Sequence, residues 1–202
     1  MKTRRFVRPL EYSRIGLLAL LSFWPSVAVA QSDHVHGVPS QNQEQTLDRS
    51  SKANALVQIV QQATERFRDV GVADAEEYKL LFGCVSGSDW GAMGLHYVNM
   101  GLVMDGELDP TRPEIILYEA LPSGRLKLTG ADYLVLADAW EAKHPGTTPE
   151  LMGQLLHYFE SPNRFGHPPF YTLHVWAWKD NPSGTFVNWH PKVSCDGFNP
   201  QN

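Results

Sequence analysis

The chain has 202 residues, with 17 basic against 22 acidic side chains and a net charge of −5. An acidic balance argues against nucleic acid or an anionic membrane surface as partner. The length suits one domain with a hydrophobic core behind a short leader.

Lys2, Arg4, Arg5, Arg8 and Arg14 stand against Glu11 alone in residues 1–14. Residues 15–24 form an apolar run too short for a permanent bilayer anchor. Pro25 breaks it, and Ala28 and Ala30 occupy the −3 and −1 positions of a cleavage site before Gln31. This pattern predicts a secretory signal peptide over residues 1–30 and an exported, periplasmic or secreted product with no stable membrane anchor after cleavage. Arg4 and Arg5 partly resemble a twin-arginine signal, but Arg8 stands where that pattern has an apolar residue, so ordinary export is expected. Removing residues 1–30, which carry five basic residues and one acidic, leaves 12 and 21, a net charge of −9.

Residues 31–50 are polar and read as a disordered lead-in to a single domain over 51–202. From Ser51, Leu56, Val57, Val60, Phe67 and Val70 recur at helical steps. A shorter helix is expected through Ala73, Tyr78 and Leu81, so residues 51–82 are predicted as a helical pair. Residues 83–94 form a glycine-rich stretch without a phosphate-binding or nucleophile-elbow pattern, and read as a loop. Strands are expected at 95–100, 114–120, 125–129 and 131–136, with Gly130 bending the last two. Residues 138–144 predict a helical turn or two, and 149–159 a better helix capped by Thr148.

The C-terminal stretch is predicted as two strands, 170–178 and 185–191, around a turn at 181–184. Alternation puts Tyr171, Leu173, Val175 and Ala177 on one face, and Phe170, Thr172, His174, Trp176 and Trp178 on the other. The expected fold is therefore α+β: an antiparallel sheet covered by an N-terminal helical pair plus an inserted helix. Cys84 and Cys195 both fall in the exported part. With no Cys-x-x-Cys present, they read as one disulfide.

Three stretches resemble landmarks of a group of exported bacterial proteins. They are Met-Gly-Leu-His-Tyr-Val-Asn at 93–99, Asp-Pro-Thr-Arg-Pro-Glu at 109–114 with Leu-Tyr-Glu at 117–119, and Leu-His-Val-Trp-Ala-Trp at 173–178 with Asn-Pro-Ser-Gly at 181–184. Asp132 departs from the group, whose members favour glutamate there. No activity follows from the resemblance.

His96 and His174 lie in strand-like segments, Glu119 ends a strand and Asp132 opens another. Two imidazoles with one or two carboxylates form the donor set of zinc, copper or iron sites. The expected pocket is thus a metal site of His96, His174, Glu119 and Asp132, lined by Trp176, Trp178 and His190. It would bind a metal ion or small ligand. A metal-dependent hydrolase or oxidoreductase using the same pocket is the alternative, and a non-catalytic envelope protein a third. Paired carboxylates with stacking tryptophans also fit sugar hydrolysis, but no spacing in the chain fixes their separation.

Overall fold

The computed structural model describes residues 41–199, so the expected signal peptide and the first half of the lead-in lie outside it. The first helix, α1, runs Gln41–Thr64. Residues 41–50 are thus helical and exposed, with Asp48 and Lys52 paired one turn apart at 2.9 Å. Only the later half of α1 is docked: Leu56, Val60 and Thr64, each four residues on, face the core. Thr64 ends the helix by donating to Val60 O and accepting from Trp178 Nε1. A 3-10 turn at Glu65–Arg68 then buries Phe67, and Asp69 caps α2 (Val70–Ala75) by accepting from Gly71 N at 2.9 Å.

The second helix is shorter than its apolar spacing implies. Glu77 turns the chain at positive φ, and Tyr78 is buried with its hydroxyl donating to Pro113 O. Extended chain follows, in place of helix and loop: β1 (Lys79–Gly87) and β2 (Gly91–Val98) form a hairpin. Gly91 is needed there, since a Cβ on it would stand 2.2 Å from His190 O. After β2, Asn99 caps a short α3 (Met100–Asp105), accepting from Leu102 N at 3.2 Å.

Next come β3 (Ile115–Ala120) and β4 (Leu126–Leu136), the latter continuous through Gly130 with an irregularity opposite Leu117 and Tyr118. The inserted helix is α4 (Ala137–Lys143). Residues 149–159, which the apolar spacing marks as helix, instead form a small hairpin, β5 (Glu150–Leu151) with β6 (Gln154–Leu155), and then β7 (His157–Phe159). Met152 and Gly153 make the turn at positive φ, and Leu151 and Leu156 sink into the core with Leu56 and Val60 of α1. Burial of these two leucines overrides the local periodicity.

The last strand is β8 (Phe170–Val175). The main sheet is antiparallel throughout, in the order β1-β2-β3-β4-β8-β7. The α+β class and the disulfide expected from sequence are present: Cys84 in β1 is joined to Cys195 with Cα atoms 5.7 Å apart. The second C-terminal strand is not. Residues 185–191 make only a bridge, His190 opposite Ala92, and the rest of the tail is held by turns. No helix among the described residues is long and apolar enough to cross a membrane.

One sheet face carries Tyr118, Tyr133, Val135, Leu173 and Val175 and packs against α1 and the 3-10 turn. The other face carries Val98, Ile115 and Leu117 with Val103 of α3. That second face holds the site.

Candidate functional site

Register places the chemistry. Asp132 of β4 pairs with His174 of β8, and His96 of β2 pairs with Leu117 of β3, which in turn faces Gly130 of β4. Directly opposed residues share a face, so all three polar side chains project from the side away from α1. One ligand atom from each of His96, Asp132 and His174 lies within 4.8 Å of the others. The three side chains are buried, at 6%, 2% and 3% exposure.

His96 is oriented by the backbone. Its Nδ1 is 3.3 Å from Gly94 O, which puts the proton on Nδ1 and leaves Nε2 as a lone-pair donor. Asp132 accepts the Thr172 hydroxyl at Oδ1, 2.5 Å away. His174 Nδ1 lies 3.4 Å from that same oxygen, near enough for an ion pair but not aligned as a hydrogen bond. Neither ring nitrogen of His174 has a partner.

Burial decides the charges. It pushes His96 down to about 4, aided by the neighbouring His174 and opposed by Asp132. Burial also pushes His174 down to about 3. Asp132 rises to about 6, again through burial, with His96 and the Thr172 hydroxyl opposing. The 3.4 Å approach of Asp132 would favour an imidazolium at His174, but removing the ring from water outweighs it. At neutral pH the imidazoles are neutral and the carboxylate ionised, the forms in which each ligates a metal.

These groups form the polar end of a cavity of about 330 Å³. Apart from Thr172, His167 and Asn188, the rest of its walls are apolar, with Leu81, Met93, Ile115, Leu134 and Phe170 among them. Phe82, Met100, Met104 and Pro168 are the exposed part of the lining. Phe82 sits at positive φ, unusual for a bulky side chain, and its ring meets Phe165 and His167 edge-on at 5.7 and 4.9 Å.

The other expected site residues are elsewhere. Glu119 is two residues beyond Leu117 and ion-pairs with Lys179 at 2.6 Å. His190 is fully buried with both nitrogens engaged, Nδ1 accepting from Lys192 N and Nε2 bonded to Asp180 O. Trp176 is buried, donates to Val187 O and packs edge-on against His190. Strand alternation stops at Val175, because Ala177 N turns back onto Val175 O. Trp178 therefore lands on the helix side, donating to Thr64 Oγ1 under the guanidinium of Arg68. None of these four side chains lines the cavity.

Thr172 and Asn188 do line it, and sequence reasoning passed over both. Thr172 had a readable signal, since it lies one same-face step before His174. Asn188 had none, as only the folded tail brings it there. No protein-family model, curated protein or solved structure matches the chain.

Proposed function

We propose that this is an exported protein that binds a divalent transition-metal ion through His96, Asp132 and His174, at the floor of a cavity that admits a small ligand. The observation carrying this reading is His174. A buried imidazole with neither nitrogen hydrogen-bonded is costly to hold in a folded protein, and a metal ion between it and two neighbouring donors engages one of those nitrogens. Two imidazoles and one carboxylate suit zinc, ferrous iron or copper, and three protein ligands leave positions open toward the cavity. Thr172 and Gly94 supply the outer hydrogen bonds that orient Asp132 and His96. Export is supported by the basic-apolar-small N-terminal pattern, the resemblance to exported bacterial proteins and the disulfide.

Metal analysis of protein dialysed against zinc, ferrous iron or cupric ion tests the reading. Wild type should retain one ion per chain, and His96→Ala, His174→Ala and Asp132→Asn should each lose it. Glu119→Gln should retain it. Equal metal in the folded His96→Ala, His174→Ala and wild-type proteins would sink the assignment.

A further inference from the structure

Three buried side-chain atoms among the described residues lack a hydrogen-bond partner: Nδ1 and Nε2 of His174 and Oδ1 of Asn188. All three belong to residues that line the one cavity. A metal held by His96, Asp132 and His174 engages one nitrogen of His174 and leaves the hydrogen-bond demand of Asn188 Oδ1 to whatever else enters the cavity. A buried amide oxygen calls for a donor hydrogen.

We infer that the cavity binds a compact, uncharged, mainly apolar molecule bearing a hydroxyl group, with the hydroxyl donating to Asn188 Oδ1. The cavity of about 330 Å³ lies at the small end of the range of small-molecule pockets, about 300–1,000 Å³, and so fits a body of two or three rings. Its walls set the chemistry of that body. Met93, Met100 and Met104 provide adaptable thioethers, and Phe82, Phe165 and Phe170 provide ring surfaces. No lysine or arginine lines it, so in the metal-free protein a carboxylate or phosphate finds no side-chain cation there. Asp132 is the one carboxylate of the lining, and the metal reading commits it to the ion, so it offers a cationic amine no free counter-charge.

Access runs past Phe82, Met100, Met104 and Pro168, the exposed apolar residues of the lining. Phe82 and the adjacent Gly83 both have positive φ, at the break in β1–β2 pairing between Leu81 and Cys84. The irregularity turns the Phe82 ring toward Phe165 and His167, across from the sheet edge. Backbone strain of this kind is maintained where the side chain has a position to hold.

The apolar part of this inference stands independently; the polar end extends the metal reading, and the two are separable by experiment. The probe is the uncharged fluorophore N-phenylnaphthylamine, titrated into chelator-treated and zinc-loaded protein. Competitors are naphthalene, naphthol, naphthoate and naphthylmethylamine. One saturable probe site per chain is expected in both preparations. Naphthol should displace the probe about tenfold more tightly than naphthalene, the order of one net hydrogen bond. Asn188→Leu should erase that margin and leave naphthalene unchanged. Met100→Trp at the mouth and Leu136→Trp inside should each reduce probe affinity at least about tenfold by filling the space. Trp90→Ala, an exposed aromatic outside the cavity, should do nothing.

Unsaturable probe binding, or binding indifferent to both Met100→Trp and Leu136→Trp, overturns the cavity assignment. Tighter displacement from the chelator-treated protein by naphthoate or naphthylmethylamine than by naphthol overturns the uncharged hydroxyl. Probe binding without metal retention defeats the metal reading alone, and metal retention without probe binding defeats this inference alone.

Discussion

Asp132 and His174 are register partners on adjacent antiparallel strands, yet the 3.4 Å between their facing atoms is not a hydrogen bond. The same carboxylate oxygen is taken by Thr172, the next residue along β8 on that face. The backbone thus spends Asp132 on a hydroxyl and leaves its imidazole neighbour free. That division leaves both His174 nitrogens without a hydrogen bond instead of closing an ion pair.

Thr172→Val tests the division. The variant removes a buried hydrogen bond to a carboxylate while keeping the shape of the side chain, and should lower stability by about 1.5–3 kcal/mol. Freed Asp132 should then turn toward His174, and metal affinity should fall by about 10–100-fold, the usual effect of losing an outer hydrogen bond. Thr172→Ser restores the hydroxyl and should restore both. Urea unfolding and metal titration measure the two effects separately.

Glu114 gives a pH signature apart from the site. It is 2% exposed, its Oε2 accepts from Leu134 N, and burial pushes its carboxyl up to about 8, with Asp132 and Asp105 adding to the rise. The folded protein therefore keeps a proton that the unfolded chain releases above the ordinary 4.5. Stability from this group is full below that value and is lost as pH rises toward about 8. His96 runs the other way: its lowered value costs stability as pH falls from 6.5 toward about 4. Subtracting the urea-unfolding profile of Glu114→Gln from that of wild type isolates the Glu114 contribution. A difference that stays flat across the interval from 4.5 to about 8 contradicts the assignment.

The disulfide should carry a large share of the stability. Cys84 and Cys195 are 111 residues apart in sequence, and closing a loop of that size constrains the unfolded chain by about 4–5 kcal/mol in the chain-entropy model. A Cys84→Ser, Cys195→Ser protein should lose an amount of this order in urea. Denatured, unreduced wild type should show no free thiol.

Glu119 and Lys179 form a pair that is only 12% and 19% exposed. A double-mutant cycle with Glu119→Gln and Lys179→Met should give a coupling of about 0.5–3 kcal/mol. Metal content should not change in any corner of the cycle, which distinguishes a structural pair from a ligand set.

Several features were legible because they depend on residue type or short spacing. The helical stripe Leu56–Val60, the strands around Tyr118 and Tyr133, and two cysteines in a chain with an export pattern are of that kind. The helix expected over 149–159 failed because Leu151 and Leu156 fit a core reached through a turn as readily as a helical face. Trp178 was misplaced because strict alternation was carried past the turn at Ala177, which no side chain announces. Glu119 and His190 were drawn into the site by their chemistry alone, and in the fold Lys179, Asp180 and Lys192 had already engaged them.

By itself the sequence determined the α+β class and the disulfide partners, since composition and local pattern carry that information, and it offered His96, His174, Glu119 and Asp132 as candidate donors. Tertiary structure alone decided which donors meet. His96, Asp132 and His174 come from strands 36 and 42 residues apart, and only the register of β2, β3, β4 and β8 places them on one face. It also made the cavity, because walls from α3, β1, the loop before β8 and the tail residue Asn188 assemble only after every strand has found its partner.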